Sequence, residues 1–269
     1  GHLFPGTWNR TPIDAPPSPE DGRIWRASLM GMGGGPERVL INLDAHPDRT
    51  IGARAMDCTV IAHEKTAQAF RNRPNTFKAQ GDETGANWEA IPGLGSVRWA
   101  PPEISFLEKM SLQWGDMPIL LESRPAPAYS AIWVILPAAK VVFIGDTVAK
   151  GQPPFLAYAD LPEWIDSLKV LLGPEYKGFT IVSSRGGVIT QQVVRNQLDI
   201  LKRIHDRVEK LGSKKSSSAA IDKLADQLLK DFKAPAARQK QYVHRLRYGL
   251  NQYYARHYSS TSRHLLDEQ

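Results

Sequence analysis

The stretch Leu43-Asp44-Ala45-His46-Pro47-Asp48-Arg49-Thr50-Ile51-Gly52 decides how this chain is read. It follows Val39-Leu40-Ile41-Asn42-Leu43, a nearly unbroken apolar run of the kind expected for a short strand buried on both faces. Two carboxylates, an imidazole and a guanidinium thus crowd the loop at a strand end, a place where chemistry is commonly carried. Downstream there is room for one or two helical turns around Ile51 to Met56. Cys58-Thr59-Val60-Ile61-Ala62 reads as a second strand, and Glu64 to Arg71 as a helix. Strand, loop, helix, strand and helix in so short a span is an α/β rhythm. Upstream, Arg23 to Met32 reads as a short helix with Ile24, Trp25, Leu29 and Met30 on its apolar side, stopped by Gly33-Gly34-Gly35-Pro36. Residues 1–22, with five prolines from Pro5 to Pro19, read as an extended arm.

The middle of the chain is strand-like. Ser105-Phe106-Leu107, Met110-Ser111-Leu112 and Ile119-Leu120-Leu121 are short apolar pieces, with a turn at Trp114-Gly115-Asp116. Ala131 to Leu136 and Lys140 to Ile144 flank Pro137-Ala138-Ala139 as a β-hairpin. Trp164, Leu168, Leu171 and Leu172 have helical spacing, and Phe179 to Ser183 reads as the last strand. From residue 188 the pattern is helical. Val194, Leu198, Leu201, Ile204, Val208 and Leu211 form one stripe, with Gly212 placed to end the helix. Ser218 is placed to cap a second helix bearing Ile221, Leu224, Leu228 and Phe232. Pro235 separates it from a third, Ala236 to about Tyr258. The expected organisation is an arm over 1–22, an α/β domain over 23–190 and a helical extension over 191–269.

Composition narrows the function classes. Cys58 is the single cysteine, which excludes an internal disulfide and a cysteine-rich zinc module. It fits a reducing, cytoplasmic compartment. No apolar run has the length of a membrane span, and Gly1 to Gly6 lack the basic and apolar regions of a signal peptide. The chain opens on Gly1 and not on Met, and a processed or engineered start is expected. Net charge is +6, unevenly placed: residues 1–194 hold 18 Lys/Arg against 20 Asp/Glu, and residues 195–269 hold 16 against 8. Only His2, His46 and His63 precede residue 195, so a site needing four or five imidazoles cannot be built there.

Four segments, in order, resemble the metallo-β-lactamase superfamily. Leu43 to Gly52 is similar to the family's H-x-H-x-D-H loop. Val60-Ile61-Ala62-His63-Glu64-Lys65-Thr66 is similar to its next strand and helix. Pro137 to Thr147 is similar to the hairpin ending in a bridging aspartate, and Ile181 to Gly187 to the strand and turn that usually carry G-H-G. The resemblance implies an αββα sandwich of two mixed sheets with a site at one sheet edge, here followed by a C-terminal helical extension. In the family two divalent ions, commonly zinc, share a hydroxide and polarise a substrate oxygen.

Carried over residue by residue, the resemblance puts Asp44 at the first histidine, His46 at the second, Asp48 at the aspartate and Arg49 at the last histidine of the motif. Counting back from Pro137 puts Ser123 to Ser130, with Pro127 at the ligand position, where another histidine normally falls. Asp146 stands at the bridging aspartate and Arg185 at the final histidine. Guanidinium does not ligate metal. The expectation is a degenerate site without its binuclear metal chemistry, in which Arg49 and Arg185 pair with Asp44, Asp48 and Asp146. No cofactor is expected; any single zinc or other divalent ion would fall to Asp44, His46, Asp48 and Asp146. His63 is expected to be an ordinary hydrogen-bonded residue.

The family usually enters through a hairpin with an I-D-x-G-like segment. Because residues 1–22 do not look strand-like, part of the first sheet is expected to be absent, with the sheet reduced or its edge covered by the N-terminal arm or a partner. An exposed edge invites pairing, and a homodimer is expected. The leading function is binding or assembly without standard hydrolysis. The alternative is a noncanonical hydrolase of an anionic small substrate, using one metal or none. Lys/Arg interleaved with Tyr242, Tyr248, Tyr253, Tyr254 and Tyr258 admits nucleic-acid binding, but the apolar stripes favour packing of the extension on the domain.

Overall fold

The computed structural model describes residues 11–32, 38–72, 84–113, 117–214 and 217–258. The expected glycine-rich stop at 33–36, the turn at 114–116, residues 1–10 of the arm and residues 259–269 of the tail lie outside them. Helix α1 (Pro19–Gly31) begins at Ser18, whose hydroxyl accepts from Asp21 N, with Pro19 in the first turn. It leads to β1 (Val39–Ile41), the one-turn helices α2 (Pro47–Thr50) and α3 (Ala53–Met56), β2 (Thr59–His63) and α4 (Glu64–Arg71). A small parallel sheet has the order β1-β2-β3, with β3 at Ile104–Phe106. Strands β4 (Lys109–Leu112), β5 (Ile119–Ser123), β6 (Ile132–Leu136), β7 (Val141–Phe143), β8 (Thr180–Ser183) and β9 (Gly187–Ile189) form a mixed sheet in sequence order. Only the β7–β8 pairing in it is parallel. That parallel step needs a crossover, which α5 (Leu161–Leu171) supplies.

Side-chain alternation sets the layers. On β6, Ile132, Val134 and Leu136 face the first sheet, meeting Ile13, Ile41, Leu43 and Ile61. Trp133 and Ile135 face the other way, onto Trp164 and Leu168 of α5 and onto the C-terminal helices. The far face of the small sheet, at Leu40 and Val60, is covered by Leu29 of α1 and by Ala53 and Met56 of α3. The result is helix, sheet, sheet, helix. The C-terminal helices α6 (Gln191–Ser213), α7 (Ser218–Leu229) and α8 (Gln239–Tyr258) share one continuous apolar cluster with β6, β7 and β8.

Several local expectations need correcting. Helix α1 starts before Arg23 and buries Gly22 and Leu29, while Ile24 and Met30 are exposed. The last strand is β9, since Gly187-Val188-Ile189 pairs with β8 before the helical pattern begins. Gly212 does not end α6, which runs on to Ser213; a Cβ there would strike the ring of Tyr258, so the glycine serves close approach of α8. Helix α7 has Ser217 at its N-cap, and the Ser218 hydroxyl donates to Asn251 Oδ1 of α8 at 3.2 Å.

Of the alternatives for the first sheet edge, the structure has the arm covering it. Thr11 to Pro16 are buried, with Ile13 0% exposed. Ile13 makes a parallel bridge to Ile41. Asp14 N donates to Ile41 O at 2.8 Å, and Ile41 N donates to Pro12 O at 3.0 Å. The prolines mask a sheet-edge segment because the donors that pair here belong to residues 14 and 41.

Candidate functional site

The end of β1 turns sharply into α2. Asp44 Oδ1 accepts from His46 N at 2.8 Å, and His46 Nδ1 accepts from Asp48 N at 3.2 Å as the N-cap of α2. Pro47 fits the first helical position because its missing N–H is not needed there. Asp48 is held from a second direction, accepting from Trp88 N at 2.7 Å. Asp146 lies just after β7 in a short 3-10 turn at Gly145–Thr147. Gly145 has φ +56, a conformation that favours glycine. Trp133 Nε1 donates to Thr147 Oγ1 at 3.0 Å and Trp164 Nε1 to Thr147 O at 2.9 Å, so the two indoles pin this turn. Arg185 lies in the β8–β9 turn, where its N–H donates to Ser183 Oγ at 3.1 Å.

These elements bring Asp44, His46, Asp48, Arg49, Asp146 and Arg185 to one place. The Arg49 guanidinium pairs with Asp44 Oδ1 at 2.8 Å, with Asp14 Oδ2 at 3.2 Å and with Asp146 Oδ2. Arg185 Nε meets the same Asp146 oxygen at 2.9 Å, and its Nη2 meets Asp48 Oδ2 at 2.7 Å. Four carboxylates therefore surround two guanidinium groups, and all six side chains are largely buried. Among the described residues Asp146 Oδ1 has no hydrogen-bond partner, and Arg49 Nε and Nη2 meet their carboxylates as ion pairs without well-aligned hydrogen bonds. Pro127 is buried in the connection between β5 and β6 and offers no donor atom for a metal. His63 caps α4, accepting from Lys65 N at 3.0 Å.

The protonation pattern follows from burial and charge. Burial opposes ionisation of Asp146, but Arg185 and Arg49 outweigh it and hold the carboxyl far below its usual range. Asp48 is also held low, burial being overcome by His46 and Arg185. At Asp14 and Asp44 burial wins over Arg49, and both carboxyls are raised. Burial lowers His46 to about 4. His46 is thus neutral near pH 7, as its role as acceptor for Asp48 N requires.

A recess of about 220 Å³ opens onto this cluster, lined by Asp14, Asp48, Arg49, Asp146, Ser184 and Arg185, with Asn87 at its wall. Phe155 lies beneath, its ring 4.8 Å from that of His46 and 4.6 Å from the Arg185 guanidinium. Among the described residues no group of three or more His, Cys, Asp and Glu is arranged to hold a metal ion.

Sequence reading missed Asp14, Phe155 and Arg245. Asp14 had a signal: Ile13-Asp14 ahead of the first motif matches the I-D pair that the resemblance called for, obscured by its prolines. Arg245 also had one, since 242, 245, 249 and 253 share a helix face with 246 and 250, and that face is buried. Phe155 sits in a loop and had none.

No family model and no curated protein matches the sequence. Solved structures do. A metallo-β-lactamase from Pontibacter korlensis superposes with a TM-score of 0.57 at 18% identity, covering 74% of this chain and 85% of its own. The DIM-1 metallo-β-lactamase exposed to ceftazidime gives 0.56 at 16% identity, over 75% and 83%. A metallo-β-lactamase from Erythrobacter litoralis, with β-mercaptoethanol in its active site, gives 0.55 at 17% identity, over 75% and 83%. The chain has the metallo-β-lactamase fold.

Proposed function

We propose that this chain is a metallo-β-lactamase-fold protein in which an arginine–aspartate network stands where the fold's two metals are normally held. In this reading it is a pseudoenzyme of that fold, acting by binding or assembly. The observation that carries it is the pairing of Arg49 and Arg185 with Asp14, Asp44, Asp48 and Asp146. The donor set does not fit a pair of zinc ions. One imidazole is available, its Nδ1 is committed to Asp48 N, and carboxylate oxygens that would ligate already face guanidinium. Arginine suits the replacement because its fork meets two carboxylates at once and keeps its charge when buried.

The recess supports a second reading, a noncanonical hydrolase using one ion or none, with Arg49 or Arg185 stabilising an anionic substrate. The same experiment separates the two. The chain is assayed against ester, thioester, lactam and phosphodiester substrates, with and without added zinc or manganese. The proposal expects no turnover in either condition; turnover of any of these substrates, with stoichiometric metal or without metal, defeats it.

Nucleic-acid binding by the extension has less support, because Tyr242 and Tyr253 are buried in the core and Tyr254 and Tyr258 pack against it. The homodimer expected from an uncovered sheet edge loses that support, because Ile13 covers the edge by its bridge to Ile41; sedimentation reads the oligomeric state. No helix among the described residues is long and apolar enough to cross a membrane; a cytoplasmic location stays an expectation.

A further inference from the structure

Helix α8 carries a buried guanidinium whose partners among the described residues are neutral. Arg245 is 1% exposed. Its Nε and Nη2 donate to Gly85 O at 3.0 and 2.9 Å, and its Nη1 donates to Gln152 Oε1 at 2.9 Å and Pro153 O at 3.1 Å. Among the described residues none gives it a carboxylate within hydrogen-bond reach, and burying a charge in that way is costly. Its contacts run in two directions, and both end at the site.

The first runs through residues 84–89. Arg245 holds Gly85 O, Gln241 Nε2 donates to Asn87 Oδ1 at 2.7 Å, and Trp88, the residue after Asn87, donates its N–H to Asp48. The second runs through residues 152–155. Gln152 Nε2 donates to Arg185 O at 3.4 Å, and Phe155 lies between the guanidinium groups of Arg245 at 4.1 Å and Arg185 at 4.6 Å. The approach is built into the backbone. Gly85 has φ +68, and a Cβ there would come within 2.5 Å of Gln241 O and 2.7 Å of Arg245 N. A Cβ on Gly249 would come within 3.1 Å of Leu156 Cβ, so α8 lies close against both segments.

We infer that Arg245 is a positioning residue: through it α8 braces the two segments that hold Asp48 and Arg185, residues 84–89 and 152–155, and fixes the Asp48–Arg185 pair, so that the helical extension sets the geometry of the site. This deepens the reading of the arginine–aspartate network and rests on it. Arg49, whose partners are Asp14, Asp44 and Asp146, supplies an internal reference that α8 does not touch directly.

The test is NMR of guanidinium Nε–H exchange in the full chain. In the unaltered protein both Arg185 and Arg49 are expected to be protected. Arg245→Met keeps the apolar stem and removes the fork; the Arg185 Nε–H is expected to exchange about tenfold faster through local opening while Arg49 is unchanged. Arg247→Ala, on the exposed face of the same helix, leaves both unchanged. Arg245→Lys is read the same way should the methionine variant fail to fold. Arg185 exchange at the unaltered rate overturns the inference, and so does acceleration of Arg49 and Arg185 together, which marks general loosening. Absence of Arg185 protection in the unaltered protein overturns the network reading itself, an outcome distinct from failure of the brace.

Discussion

Arg49 is the residue on which the site turns, since its one guanidinium faces three buried carboxylates. Removing one partner of a buried ion cluster leaves the others uncompensated, so Arg49→Met is expected to lower stability by about 3–5 kcal/mol in chemical denaturation. A loss under about 1 kcal/mol, the worth of a surface pair, would show that the cluster is solvated. His46 makes a pH prediction. Its folded-state pKa, about 4, lies below the unfolded value near 6.5, so the folded protein prefers the neutral ring. Its share of stability is present above pH 6.5 and is lost as pH falls from there through 4, about 3 kcal/mol in all. Asp14 and Asp44, raised by burial, work the other way as they take up protons. The His46 share is therefore read as the difference between the unaltered chain and His46→Asn, which keeps an N-cap acceptor for Asp48 N. That difference should narrow steadily between pH 6.5 and 4; a constant difference would mean the ring titrates normally.

At the scale of elements, legibility followed the strength of the local signal. Strands β1, β2, β6, β7 and β8 were readable because their apolar runs are uninterrupted, and α6 because its stripe is long. Strand β9 was lost in three residues, with Val188 exposed and only Ile189 buried. The edge segment at Ile13–Asp14 was lost because local proline chemistry argued against a pairing fixed by tertiary contact. At the site, positions on the matched motifs were legible and the apolar stripe marked the buried face of α8, but nothing local announces that Arg245 on that face, or Phe155 in its loop, docks beside the site. Caps offer an element-scale check. Asp160 Oδ1 accepts from Glu163 N at 3.0 Å at the start of α5, so Asp160→Ala should cost about 1 kcal/mol. A neutral result in chemical denaturation would mean that tertiary packing alone holds the first turn.

The molecule as a whole joins its charge halves through one core. Leu246 and Leu250 of α8 lie in the same apolar cluster as Trp133 of β6 and Trp164 of α5. Leu246→Ala, at a fully buried position, is therefore expected to lower stability by about 2–5 kcal/mol. Tryptophan fluorescence and far-UV circular dichroism should shift together. An early separate loss of helical signal would mean that the extension unfolds by itself. The basic excess of the last 75 residues surrounds helices that pack on the sandwich, beside a site where acidic groups outnumber basic ones. The central claim is that guanidinium groups hold the places metals would take. It is tested most directly by the metal content of the full chain, purified without chelator, then equilibrated with zinc and exhaustively dialysed. Substoichiometric metal with no change in thermal stability is expected; two zinc ions retained per chain, with a raised melting temperature, would overturn the claim.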